Sequence, residues 1–151
     1  MSKNFYITTP IYYPSAKPHM GHAYSSIIAD FFARVKRIQG FKVFFLTGTD
    51  EHGLKIQRAA EKKGLDPKEF CDQISVTFRE LSKKLNLTND DFIRTTEKRH
   101  FKSVEKLWNI LESNNEIYLS KYSGWYSVSD EAFYSDSEID TINGEKKVKV
   151  S

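Results

Sequence analysis

Two short apolar runs, Phe5 to Thr9 and Phe41 to Thr47, flank a stretch whose apolar residues recur at the spacing of a helix. No other feature narrows the possible folds as much. Strands separated by a helix are too far apart in sequence for a tight hairpin, and they pair in parallel through a right-handed crossover. The helical stretch starts at about Gly21 and carries Ile27, Ile28, Phe31, Phe32, Val35 and Ile38, with Gly40 as its C′ residue. A second helix follows the second run to about Lys63 and closes at Gly64. The order strand, helix, strand, helix predicts an α/β protein with a parallel sheet whose apolar runs are buried strands.

The connections carry the chemistry. Ligands on such sheets bind beyond the carboxyl ends of the strands. Pro10 to Pro18 is a loop with three prolines, and Gly48-Thr49-Asp50-Glu51-His52-Gly53 is a polar loop with a glycine at each end. Both follow strands, so both are expected to face one crevice. The first leads into His19-Met20-Gly21-His22 at the start of the helix. A helix N-terminus offers free N–H groups and the positive end of a dipole. Two imidazoles there can donate to phosphate oxygens, and an anion would favour their charged forms. Gly21 leaves the backbone bare, so a flat ring such as adenine could lie on it. Asp50 and His52 suit turn chemistry or ligand contact equally; the shared crevice favours contact.

Further along, Asp66-Pro67 predicts a helix with Asp66 as cap, Pro67 in its first turn, and Phe70, Ile74, Phe78, Leu81 and Leu85 on its buried face. Phe92-Ile93 reads as a short strand. Thr96 is the expected cap of another helix, with Phe101, Val104, Trp108 and Leu111 on its apolar side. After Asn115 tyrosine and serine become frequent and the pattern turns to short strands, with Asn143-Gly144 as a type I′ hairpin signal. The chain is therefore divided into residues 1–115 and a β-rich segment, 116–151.

Composition excludes several classes. A net charge of +3 with scattered basic residues gives no nucleic-acid footprint. One cysteine, Cys71, permits no internal disulfide and no multi-cysteine zinc site. No apolar stretch approaches the ~20 residues that span a bilayer. Met1-Ser2-Lys3-Asn4 runs straight into a strand without a leader pattern, so the expectation is a soluble, cytoplasmic protein with no membrane partner.

Phe5-Tyr-Ile-Thr-Thr-Pro-Ile-Tyr-Tyr-Pro-Ser-Ala-Lys-Pro-His-Met-Gly-His22 resembles the N-terminal signature of class I aminoacyl-tRNA synthetases. Gly48 to Gly53 narrows the resemblance to the methionyl-tRNA synthetases. Gly124-Trp-Tyr-Ser-Val-Ser-Asp-Glu-Ala-Phe-Tyr134 is similar to that family's connective insertion. The resemblance implies the N-terminal half of a Rossmann-like catalytic domain over residues 1–115, then the start of the insertion over 116–151. It implies an enzyme that activates methionine with MgATP to methionyl-adenylate and transfers it to tRNA(Met). Catalysis there is positioning and charge stabilisation on phosphate. His19 and His22 would contact the ATP phosphates in the transition state, and Gly21 would pack on adenine. Asp50 would hold the methionine ammonium group, and Ile11 and Tyr13 would line the side-chain pocket. The family's Lys-Met-Ser-Lys-Ser element is missing, as are the zinc ligands of some insertions, so the segment is expected to carry no metal site of its own. A related nucleotidyltransferase acting on another small acid, or a binding fragment without turnover, are the competing readings.

Other singular residues read as structural. Tyr12 is a packing residue, Cys71 a small apolar one, and His100 a solvated helix residue. Trp125 is read as insertion core, and the acidic run from Asp130 to Asp140 as a solvated face.

Overall fold

The structure is a computed structural model and describes residues 3–142 and 144–149. The chain divides into two compact units, Met1–Leu107 and Trp108–Ser151. In the first, β1 (Asn4–Thr8), β2 (Lys42–Thr49) and β3 (Asp91–Arg94) form a parallel sheet in that order. Tyr6 faces Phe44 in the register of β1 and β2, and Gly48 faces Ile93 between β2 and β3. The connections are α1 (Met20–Ile38) and then α2 (Leu54–Glu61) with α3 (Pro67–Lys84). Strand order advances one way across the sheet, so right-handed crossovers place these helices on one face. The predicted α/β parallel architecture is what the chain adopts.

Local rules explain the helix ends. Asp66 caps α3, its carboxylate accepting from the Lys68 and Glu69 amides at 2.8 and 3.4 Å. At the far end of α1, the Gly40 amide donates to Arg37 and that of Phe41 to Lys36, the paired bonds of a Schellman motif. Gly40 sits at φ 81°, where a side chain is strained.

Burial departs from the sequence reading in α1. The side against the sheet is Ala23, Ser26, Ala29, Asp30 and Ala33, whereas Ile27, Ile28, Phe31, Phe32 and Ile38 are exposed. Small residues allow the helix to approach the strands, and Ala29 and Ala33 pack on Phe45, Ile7 and Val43. Periodicity announces an apolar helix surface but not which part of it the sheet takes. The strands show the same limit. Both apolar runs read as buried, yet Tyr6 and Phe44 stack at 5.9 Å on the opposite face and remain 61% and 46% exposed. A second cluster joins Tyr12, Ile56, Ala60, Phe70, Cys71, Ile74, Phe78 and Phe92. Leu81 and Leu85, expected on the buried face of α3, are only half-buried.

Two further expectations are corrected. Gly48 and Thr49 belong to β2 and not to the loop after it. A Cβ on Gly48 would lie 2.0 Å from the Ile93 carbonyl oxygen, so glycine is there for the close approach of β3. Thr96 does not cap α4 (Lys98–Ser113): the first turn bonds to the Glu97 carbonyl, and the Thr96 hydroxyl donates to Glu51. The apolar side expected of α4, with Phe101, Val104 and Trp108, is exposed.

In the second unit, β4 (Trp125–Ser127) pairs antiparallel with β5 (Ala132–Tyr134), and β6 (Ile139–Ile142) with β7 (Glu145–Val148). The second hairpin lies where the Asn143-Gly144 signal places it; Asn143 itself is outside the described residues. No described residue of this unit is buried. Trp125 is therefore not core: it is 44% exposed, its Nε1 donates to Asp136 at 2.7 Å, and Lys146 Nζ lies 5.1 Å from its ring.

Candidate functional site

His19 is the N-cap of α1, in extended backbone. Its Nδ1 accepts from the Gly21 amide at 3.1 Å, and His22 Nδ1 accepts from the His19 amide at 3.1 Å. This is a capping box built from two imidazoles, a variation on the usual serine and glutamate pair. The rings stand 3.9 Å apart. A nitrogen that accepts from a backbone N–H carries no proton, so each neutral ring bears its hydrogen on Nε2. In that tautomer each ring offers an Nε2–H donor. Burial, and then the charge of His19, hold His22 below the ordinary histidine pKa. Gly21 gains a second reason: a Cβ there would lie 2.9 Å from His19 Cε1, so a side chain would displace the capping ring.

The loop before this turn is not wholly irregular. Tyr12 makes a parallel bridge with Thr49: its amide donates to the Gly48 carbonyl at 3.0 Å, and its carbonyl accepts from the Asp50 amide at 2.9 Å. Its side chain is 8% exposed and packs against His22, with ring centroids 4.8 Å apart, and against Phe78 at 5.8 Å. Thr9 and Thr47 join the two strand ends through a 2.7 Å hydroxyl pair. Ile11 and Tyr13, flanking Tyr12, are 40% and 42% exposed, as alternation requires, and Lys55 Nζ sits 5.8 Å from the Tyr13 ring centre.

Asp50 follows β2 directly and is half-buried. The next residue, Glu51, has a fully buried side chain. Its carboxylate accepts from Thr49 Oγ1 at 2.7 Å, Thr96 Oγ1, and Arg94 Nε and Nη2 at 2.7 and 2.8 Å. Arg94 reaches on to Asp72 of α3. Its pKa rises, first through the Glu51 hydrogen bonds, so the guanidinium is always charged. Thr95 completes the anchor: its hydroxyl accepts from the Glu51 amide at 2.8 Å and pairs with His52 Nδ1 at 3.1 Å. Gly53 turns the chain into α2 at φ 103°. Cys71 donates weakly to the Glu51 carbonyl, and its thiol is pushed up to about 11, by burial and then by the Glu51 carboxylate. It is no nucleophile at neutral pH. His52 and His100 line an open cavity of about 290 Å³ with Thr95, Phe101, Val104 and Glu105. His100 is thus half-buried, not a freely solvated residue.

The structure therefore brings His19, Gly21 and His22 into one turn and links that turn to Asp50 through Tyr12, with Ile11 and Tyr13 on either side. Sequence reasoning read Tyr12 only as a packing residue and gave no role to Glu51 or Arg94. A tyrosine in a proline-rich loop gives no signal of pairing. The Glu51 to Arg94 contact joins positions 43 residues apart, which no local pattern reports.

The sequence model of the family described as tRNA synthetases class I (M) matches residues 5–147. The chain is 51% identical over 146 residues to a methionine–tRNA ligase of Listeria monocytogenes, covering 97% of this chain and 22% of that protein. It is 50% identical over 149 residues to that of Bacillus subtilis, covering 99% of this chain and 22% of that one. A solved structure of Mycobacterium tuberculosis methionyl-tRNA synthetase in complex with methionyl-adenylate superposes with a TM-score of 0.91 at 44% identity, over 97% of this chain and 29% of that chain. The chain thus spans about a fifth of the length of the curated relatives it matches. With a parallel sheet, a histidine-capped helix at its carboxyl end and a family match over nearly every residue, this chain belongs to the class I tRNA synthetases of the methionyl type.

Proposed function

We propose that this chain forms the first half of a methionine-activating site, within an enzyme that makes methionyl-adenylate from methionine and ATP and charges tRNA(Met). The observation that carries the reading is the attachment of the histidine turn to Asp50 through Tyr12, at the carboxyl ends of adjacent parallel strands. In this reading His19 and His22 donate from Nε2 to phosphate oxygens, assisted by the positive end of the α1 dipole. The donors are set before substrate arrives, so stabilising charge on the α-phosphorus requires little reorganisation. The methionine carboxylate attacks that phosphorus and pyrophosphate leaves, without a protein nucleophile. Asp50 holds the ammonium group, Ile11 and Tyr13 contact the side chain, and adenine lies against Gly21. Magnesium would arrive on the phosphates.

Residues 116–151 are assigned to the start of the connective insertion. A cytoplasmic setting fits a lone cysteine buried as a thiol; among the described residues no helix is long and apolar enough to cross a membrane. Without the Lys-Met-Ser-Lys-Ser element, the chain by itself is expected to bind more readily than it turns over. Calorimetry with a non-hydrolysable methionyl-adenylate analogue tests the reading. Saturable binding is expected, weakened about tenfold by Asp50→Ala, the size of one charge-assisted hydrogen bond. Equal affinity for an adenylate of an unrelated acid would favour the broader nucleotidyltransferase reading.

A further inference from the structure

We propose that Tyr12 is a positioning residue that sets the histidine turn and Asp50 relative to one another. The inference rests on the reading that both serve one site, and it concerns a residue with no assigned role in that chemistry.

Three parts of Tyr12 act on three neighbours. Its carbonyl accepts from the Asp50 amide at 2.9 Å while its amide donates to Gly48, so the start of the Asp50 loop continues a β-ladder. Its ring lies edge-on to His22 and stacks on Phe78, which also touches the His22 ring. Its hydroxyl lies 2.9 Å from both Ser25 Oγ and Ser26 Oγ and 3.3 Å from the His22 carbonyl, all in the first two turns of α1. A phenol has one hydrogen and two lone pairs, so it donates to one of these groups and accepts from another. Ser26 is itself buried. Displacing the N-terminus of α1 therefore strains the phenol, and moving the phenol pulls on the bridge that carries Asp50. Phe78 touches the His22 ring, at 5.2 Å, but among the described residues no hydrogen bond joins it to the Asp50 segment. That difference separates positioning from general packing.

Hydrogen exchange by NMR on the whole chain makes the test. Tyr12→Phe keeps the ring and removes the hydroxyl. Expected is about tenfold faster exchange at the Asp50 and Ala23 amides, the size of one lost hydrogen bond, with the Phe45 amide of β2 unchanged. The His22 ring signals should move as well. Phe78→Leu should move the His22 signals and leave Asp50 exchange as it was. Ser26→Ala, which removes one hydroxyl partner, should give a weaker form of the Tyr12→Phe pattern and serves if that variant does not fold. Asp50 exchange that stays at the wild-type rate, or rises only in step with Phe45, overturns the proposal. Magnesium–ATP added to the wild-type chain is a separate arm. Unmoved His19 and His22 signals would count against the activation site, while the exchange pattern still decides the role of Tyr12.

Discussion

The two loops at the carboxyl end of the sheet are held in opposite ways. The Asp50–Gly53 loop is anchored from within, by a buried carboxylate that gathers Thr49, Arg94 and Thr96. The His19–His22 turn is anchored from outside, by a cap that its own imidazoles make on α1 and by the Tyr12 phenol beneath. An internal anchor fixes a loop rigidly and tolerates little change. A surface cap leaves the same groups accessible to a ligand, at the cost of lower stability. In the proposed reading, the first arrangement suits a carboxylate that holds one cation, and the second suits donors that meet a triphosphate.

This contrast is open to attack at its strongest point. Arg94→Met leaves Glu51 buried without its counter-charge and should cost about 3–5 kcal/mol, read as a fall in the urea midpoint. A loss near the exposed-pair range would mean that the inner anchor is not what holds the loop. Next comes the strand that delivers it. Gly48→Ala places a methyl 2.0 Å from the Ile93 carbonyl, so β2 and β3 must separate; about 1–3 kcal/mol is expected, and an unchanged melting temperature would contradict the registered pairing. On the outer side, His19→Ala removes a cap worth about 1 kcal/mol. In the longer enzyme the same change should lower methionine-dependent ATP–pyrophosphate exchange by roughly 10²-fold, as for one lost charge-stabilising donor.

Acid sharpens the comparison further. His22 has a lowered pKa in the fold, so the unfolded chain binds more protons in the window between the two values. Stability from this group is complete above the unfolded value, about 6.5, and is lost as pH falls through the folded one. Asp72, beside Arg94, is also lowered, first by its Lys68 hydrogen bond, and its contribution is lost only below the ordinary carboxylate value. Denaturation followed from pH 8 to pH 4 should therefore weaken the histidine turn before the inner anchor. His22→Ala should remove the earlier phase; its persistence would assign it elsewhere. The smallest effect belongs to Lys68→Ala, which removes an exposed i,i+4 pair with Asp72 and should change stability by about 0.3–0.5 kcal/mol.

The bare surfaces in the first unit have a related meaning. Tyr6 and Phe44 on one face of the sheet, and Phe31 and Phe32 on the outer side of α1, are large and apolar yet exposed. Parallel sheets are ordinarily covered on both faces. The relatives continue for several times the length of this chain.

Some of this protein could be derived from neighbouring residues alone. Helix ends at Gly40, Gly64 and Asp66-Pro67 follow from backbone rules spanning a few positions. The alternation of strand and helix then leaves few topologies, and His19, Gly21, His22 and Asp50 stand out because histidine, glycine and aspartate at strand ends are costly to place without purpose. What could not be derived depends on contacts between distant segments. Which side of α1 meets the sheet depends on how closely two backbones approach. Whether Gly48 belongs to a loop or a strand depends on where β3 lies. The protonation pattern of the histidine pair depends on which backbone amides its nitrogens face, and the burial of Glu51 depends on an arginine beyond two helices. Short-range preferences choose the elements; long-range packing and hydrogen bonding choose their faces, their charges and their partners.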